Sequence, residues 1–179
     1  MITSTVRYIS FPRTVPQPPF VEQVVAVFAK HERATTTLGA GSKLKSDGVL
    51  ALLRDDLLAL GFQVEAGKQK EQKIRRPVFF GEYGKPQLQY QVDAYWPQHR
   101  CGLEIEAARA VGGNAIYRDL LQALVMVEVD HLFLAVPLSY VYGKKKTKNE
   151  GFKHAMAVAE ALYGHTRIRM PYALTVIGY

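Results

Sequence analysis

The stretch from Cys101 to Pro137 constrains this chain more than any other. CGLEIEA (101–107) sets Leu103, Ile105 and Ala107 against Glu104 and Glu106, the two-residue period of a strand with one apolar face. NAIYRDLLQALVMV (114–127) changes to helical spacing, with Ile116, Tyr117, Leu120, Leu121, Leu124 and Val127 as its expected buried stripe. Asn114, Arg118 and Gln122 form a polar ridge on the same helix. HLFLAVP (131–137) is almost wholly apolar, as in a strand covered on both faces. Strand, helix and apolar strand in succession imply a right-handed βαβ crossover, with the helix on the sheet and the acidic strand near its centre.

The flanking segments are consistent with a mixed sheet carrying helices. An arm through Pro12, Pro16, Pro18 and Pro19 is too rich in proline for a helix, so it is expected to lie extended over the body. Phe20, Val21, Val24, Val25, Val27 and Phe28 predict a first helix to about Glu32. Val49, Leu50, Leu53, Leu57 and Leu60 predict a second, with Ser46 as its cap and Gly61 as its stop. FQVEA (62–66) is a short strand, KQKEQKIRR (68–76) is too charged for core, and VFFGEYGKPQLQYQVDAY (78–95) reads as a hairpin turning at Gly81, Gly84 and Pro86. SYVYGKKKTKNEG (139–151) reads as a basic loop, followed by a helix bearing Phe152, Ala155, Met156, Ala159 and Leu162 and a last strand, ALTVIGY. The expectation is an α/β domain, a central mixed β-sheet with flanking helices in the order ααβββαβαβ.

At 179 residues, 48% hydrophobic and 22% charged, the chain suffices for one domain with a proper core, expected over 20–179 with 1–19 as the arm. No apolar run approaches the roughly 18 residues of a bilayer helix, and MITSTVRYISFPRTVPQPPF contains no signal-peptide core, so a cytoplasmic protein is expected, with no membrane partner. One cysteine, Cys101, excludes an internal disulfide, and the five histidines show no metal-ligand spacing. The net charge of +7 favours a polyanion such as DNA or RNA as partner.

Against that background the carboxylates stand out. Gln87, Gln89, Gln91 and Asp93 alternate with Leu88, Tyr90, Val92 and Ala94, which puts Asp93 on a polar face. If WPQHR (96–100) turns through the four residues Pro97 to Arg100, Trp96 pairs with Cys101 and Asp93 falls opposite Glu104. Directly opposed side chains lie about 5 Å apart, where like charges destabilise a sheet and require a cation. Mg²⁺ suits that need, since it takes one or two carboxylates together with water and phosphate oxygens; Mn²⁺ is compatible. The plain alternative is a solvated acidic face with Arg or Lys neighbours, which an interior position in the sheet disfavours.

Val92-Asp93 followed by Glu104-Ile105-Glu106, a helix and an apolar strand resembles the PD-(D/E)xK nuclease superfamily, the restriction-endonuclease-like fold, over about 62–137. Val92 stands where the motif name has Pro, and Glu106 stands where Lys is usual, as in E-x-E versions. The resemblance implies a metal-dependent nuclease acting on nucleic acid, DNA foremost. It implies Asp93, Glu104 and Glu106 as catalytic residues, with Asp93, Glu104 and the backbone carbonyl of Ile105 as metal ligands. Asn114 and Arg118 are candidates for phosphate contact, with Arg118 equally able to pair with Asp119 or a sheet carboxylate. Lys144, Lys145, Lys146 and Lys148 are candidates to track a phosphate backbone. Lys68, Lys70 and Lys73 either bring an ammonium to the site or form a solvated charge run. Three other classes stay open: a non-catalytic nucleic-acid-binding protein with a disabled site, a carboxylate-pair enzyme acting on sugars, and an assembly protein with an acidic face. Metal-dependent cleavage distinguishes the first of these from the nuclease, and the sugar reading is disfavoured by the basic charge and the shortage of aromatics near the carboxylates. A homodimer stays open as well.

Overall fold

A computed structural model describes residues 4–39, 44–107, 114–142 and 147–179. Its centre is a six-stranded mixed sheet in the order β1-β10-β7-β6-β5-β2. These strands are β1 (Arg7–Phe11), β2 (Gln63–Val64), β5 (Ala94–Trp96), β6 (Cys101–Ile105), β7 (His131–Val136) and β10 (Ala173–Gly178). β6, β7 and β10 are mutually parallel, whereas β1, β5 and their partners run antiparallel. The expected crossover is present: β6 and β7 pair in parallel through helix α4 (Ala115–Val125), and the acidic strand lies inside the sheet.

Alternation along each strand divides the core between the two sheet faces. Leu103 and Ile105 of β6 with Phe133 and Ala135 of β7 meet helices α1 (Phe20–Lys30) and α3 (Ser46–Leu60) through Val24, Phe28, Leu53 and Leu57. Leu132, Leu134 and Val136 of β7 with Leu174 and Val176 of β10 meet α4 and α5 (Gly151–Gly164) through Ile116, Leu120, Phe152 and Ala155. A short helix α2 (Glu32–Thr35) follows α1. Gly61 ends α3 at φ +102, in the left-handed region a C-cap requires and a Cβ disfavours, while Ser46 is the first residue within the helix and Lys45 the cap.

Several expectations change with tertiary context. The proline-rich arm contributes β1, an edge strand paired antiparallel with β10. The charged segment before the hairpin ends sooner than expected, because Ile74–Phe80 already form β3. β3 and β4 (Pro86–Val92) make a two-stranded ribbon of their own, separate from the central sheet. The strand expected to run unbroken through Asp93 therefore bends there, and only Ala94–Trp96 join the sheet. The basic loop begins and ends in a small ribbon, β8 (Tyr140–Tyr142) with β9 (Thr147–Asn149). The buried face of α4 is Ala115, Ile116, Asp119, Leu120 and Ala123, while Tyr117 and Leu121 are exposed, as is Val127 beyond the helix. The stripe is rotated from the expected one: Tyr117 and Leu121 border an open apolar groove between α4 and α5, and the side that carries Asp119 is covered instead.

Candidate active site

The hairpin between β5 and β6 has the anticipated register: Pro97–His99 form a single 3₁₀ turn, Arg100 sits at φ +51, and Trp96 pairs with Cys101 and Ala94 with Leu103. One step further the ladder stops and side-chain chemistry begins. The Asp93 carbonyl accepts from Glu65 N at 2.8 Å, which pins the bend to the end of β2. The Asp93 Oδ2 accepts from Ile105 N at 2.8 Å, taking the place a neighbouring strand's carbonyl would fill. Glu106 N donates to Ala135 O on the opposite side, so by strand alternation the N–H and C=O of Ile105 both face Asp93. One carboxylate and one backbone carbonyl are thus aimed at the same place.

Glu104 projects from the middle of β6 toward α4 and is only 8% exposed. Among the described residues no hydrogen bond or ion pair reaches its carboxylate. Asp119 approaches from α4, 1% exposed, with Oδ1 accepting from Arg118 Nε at 3.0 Å and Arg118 Nη2 at 2.9 Å. Its other oxygen, Oδ2, is buried with no partner. Arg118 Nη2 also donates to Glu106 Oε1 at 2.9 Å, so the Nε–Nη2 edge of the guanidinium is saturated by two carboxylates. Nη1 has no partner among the described residues, and the side chain is more than half exposed. Glu106 is further fixed through its backbone, whose carbonyl accepts from Tyr179 Oη at 2.6 Å.

This crowding shifts the acids in one direction. Asp93 is pushed up to about 7, mainly by burial, against the opposing Ile105 N–H bond and with Glu65, Asp119 and Asp47 adding repulsion. Glu104 is raised well above the ordinary carboxylate range by burial and then by Asp93 and Asp119. Glu106 is pushed up to about 8 by burial and by Asp119, despite Arg118. Asp119 is also raised by burial, with Arg118 opposing. The acids cannot all ionise together with only Arg118 and Lys73 as cations in the cleft.

These acids, Glu106 excepted, line an open cleft of about 400 Å³ together with Glu65, Lys73, Gln89, Gln91, Arg118 and Gln122. A donor set of carboxylates and one backbone carbonyl is all oxygen, which suits a hard divalent cation. Asp119 Oδ2, which has only the Glu106 carboxyl to share a proton with, and the unpartnered Glu104 are the acceptors such an ion would satisfy. Among the described residues no three His, Cys, Asp or Glu side chains close into a metal cage by themselves. The fit is therefore to an open site that completes its shell with water or phosphate, as Mg²⁺ sites do. A larger groove of about 620 Å³ between α4 and α5, lined by Tyr117, Leu121, Leu124, His154 and Val158, is apolar and has no carboxylate.

No protein-family model matches the chain, and no curated protein matches its sequence. Among solved structures, the crystal structure of restriction endonuclease BglII complexed with a DNA 16-mer is similar, with a TM-score of 0.53 over 97% of this chain and 75% of that one, at 10% identity. The chain has the restriction-endonuclease-like fold.

Within that fold the candidate residues are distributed unevenly. Asp93 and Glu104 line one cleft, with Asp93 bonded to the Ile105 N–H, Glu106 pairs with Arg118, and Asn114 is an exposed residue at φ +56 immediately before α4. Lys148, on β9, is exposed and 3.7 Å from Glu150, away from the cleft lining. Lys144, Lys145 and Lys146 lie outside the described residues. Of the three lysines before β3, Lys73 reaches the cleft and pairs with Glu65, whose backbone carbonyl is also held by Arg54, while Lys68 and Lys70 are exposed. Asp119 escaped the sequence reading as a site residue. Its signal was a carboxylate at i+3 from Ile116, inside an apolar stripe continued by Leu120 and Ala123. No helix among the described residues is long and apolar enough to cross a membrane.

Proposed function

We propose that this chain is a metal-dependent nuclease of the PD-(D/E)xK type in its E-x-E form, hydrolysing phosphodiester bonds of nucleic acid, DNA foremost. The observation that carries the reading is the convergence of Asp93 and the unpartnered, buried Glu104 on the Ile105 backbone, in the interior of a restriction-endonuclease-like sheet. The +7 charge supports a polyanionic substrate, and the structurally similar BglII was crystallised with DNA.

Asp93, Glu104 and the Ile105 carbonyl would hold Mg²⁺ or Mn²⁺, with Asp119 within the same cleft. When bound, the ion supplies an activated water and neutralises charge on the phosphate. The remaining work belongs to the chain. Glu106, raised in the metal-free site by burial and by Asp119, would be ionised by the cation's field and could then accept a proton from the attacking water. Arg118, gripped along its Nε–Nη2 edge by Asp119 and Glu106, offers Nη1 to a phosphate oxygen as a charge-assisted donor. Asn114 lies at the start of the same helix, and the lysines at 144–146 and 148 supply sequence-independent phosphate contacts.

Plasmid, linear and single-stranded DNA incubated with Mg²⁺, Mn²⁺ or EDTA test the proposal. Cleavage that requires the metal and vanishes in Asp93→Ala and Glu104→Ala is expected. Metal-independent cleavage, or none with any substrate, refutes it. The Glu106–Arg118 pair favours one second reading, a nucleic-acid-binding protein on the same fold whose chemistry is disabled. DNA binding without cleavage would select it.

A further inference from the structure

The β3–β4 ribbon carries a feature that hydrolysis at the carboxylates does not use. It stands apart from the central sheet, and its tip exposes three large rings: Phe79 at 47%, Phe80 at 52% and Tyr83 at 92%. None of the three touches another ring among the described residues. Tyr83 is held at φ +57 beside Gly84 at φ +66, so the turn presents its ring at a backbone position that non-glycine residues adopt at a cost. The turn is closed by Gly81 N on Lys85 O at 2.9 Å.

The two faces of the ribbon differ. Ile74, Val78 and Tyr90 pack against the core beneath α4 and α5, which fixes the ribbon on the body. Gln87, Gln89 and Gln91 lie exposed on the other face, and Arg75 pairs in register with Gln91. Gln89 and Gln91 also line the acidic cleft. β4 therefore leads from the turn, past three amides, to Asp93, while Phe79 and Phe80 stand on β3 in register with Leu88 and Pro86, and Tyr83 in the turn that joins the two strands. From Gln91 to Pro86 the strand extends about 17 Å, the rise of about five stacked nucleotides.

Exposed rings at the tip of a ribbon whose other strand carries amide donors match the chemistry of nucleobases, which stack on aromatic faces and hydrogen-bond along their edges. Charge alone would require lysines at the tip, where Lys85 stands with Glu82. We infer that the β3–β4 hairpin is a base-stacking arm: Phe79, Phe80 and Tyr83 take unpaired bases of a single-stranded segment flanking the phosphate bound in the cleft. The inference rests on the proposal that nucleic acid is the partner.

Binding of a fluorescein-labelled single-stranded oligonucleotide and of a blunt, fully paired duplex is measured in EDTA across a salt series. The variants are Phe79→Ser/Phe80→Ser/Tyr83→Ser, all at exposed positions, and Arg118→Ala. The triple serine variant should bind the single strand at least about 10-fold more weakly, the worth of one stacked base or more, with the slope of log K against log salt unchanged. Arg118→Ala should instead lower that slope by about 1. Tyr83→Trp adds an exposed indole to a chain whose sole tryptophan, Trp96, is 3% exposed. Its fluorescence should be quenched by the oligonucleotide and not by the base-free polyanion polyphosphate. A triple variant that binds the single strand as the natural protein does overturns the arm while leaving the nuclease reading intact. So does quenching by polyphosphate, or by anionic phospholipid vesicles in place of the oligonucleotide. A natural protein that binds neither nucleic acid overturns the nuclease reading first.

Discussion

Asp93→Asn should stabilise the metal-free protein at alkaline pH and leave it unchanged at acid pH. Asparagine keeps an oxygen to accept from Ile105 N, now at 2.8 Å from Asp93 Oδ2, but carries no charge into the company of Glu65, Asp119 and Asp47. In the folded protein burial lifts Asp93 from 3.8 to about 7, so the native state holds this proton longer than the unfolded chain. The resulting stability is fully present below about pH 4 and is lost as pH rises toward 7, because in that window the native state binds more protons than the unfolded one. At about 1.36 kcal/mol per pH decade the loss is up to about 4 kcal/mol, which is about 10 °C in Tm for a chain of this size. Thermal unfolding of both proteins in EDTA between pH 4 and pH 8 measures it. The natural protein should lose Tm across the range, and the variant should lose less and lie above it at pH 8. Millimolar Mg²⁺ at pH 8 should raise the natural protein and not the variant, since a ligand stabilises only the state that binds it. An Asp93→Asn variant that melts at or below the natural protein at pH 8 in EDTA would refute the reasoning, because the carboxylate would then be compensated by groups already present.

Asp93→Ala and Glu104→Ala should each abolish Mg²⁺ binding by calorimetry together with cleavage, while retaining the far-UV circular dichroism of the natural protein; unchanged affinity in both would end the metal-site proposal. Glu106→Gln keeps shape while losing charge and basicity, with an expected loss of about 10²-fold in rate. Glu106→Lys should depress activity further, because an ammonium there faces Arg118 at a site now 2.9 Å across; cleavage created by that change in an otherwise inactive protein would select the disabled-site reading. Replacing Lys144, Lys145 and Lys146 together with Ala should flatten the salt dependence of DNA binding by up to about 3 in slope, equally for unrelated sequences.

Much of the fold was legible because it is written in local periodicity. The two-residue alternation of 101–107, the helical spacing of 114–127 and the apolar run of 131–137 are properties of the chain itself, and they suffice to place Glu104 in the interior of a parallel pair. The four-residue turn at Pro97–Arg100 is equally local, so the pairing of Trp96 with Cys101 follows from it. What periodicity cannot express is which of two good patterns prevails when elements meet. The alternation through Gln87 and Asp93 is unbroken in sequence, yet the chain bends at Asp93, since β4 is drawn into a ribbon with β3 while Ala94–Trp96 are drawn into the sheet.

The same limit governed the site. Asp119 lies next to Arg118 in the chain, and its role depends on α4 turning that side inward, where Asp119 is buried and lines the same cleft as Glu104. Glu65 and Lys73 meet at the cleft because the loop between β2 and β3 is closed by Ala66 N on Gln72 O at 3.0 Å, a closure that the charged run from 68 to 76 does not announce. The residue types that make the chemistry were thus fixed locally. Their convergence depended on contacts between segments distant in sequence, and burial among those segments is what raised the acids and left Glu104 and Asp119 Oδ2 without partners.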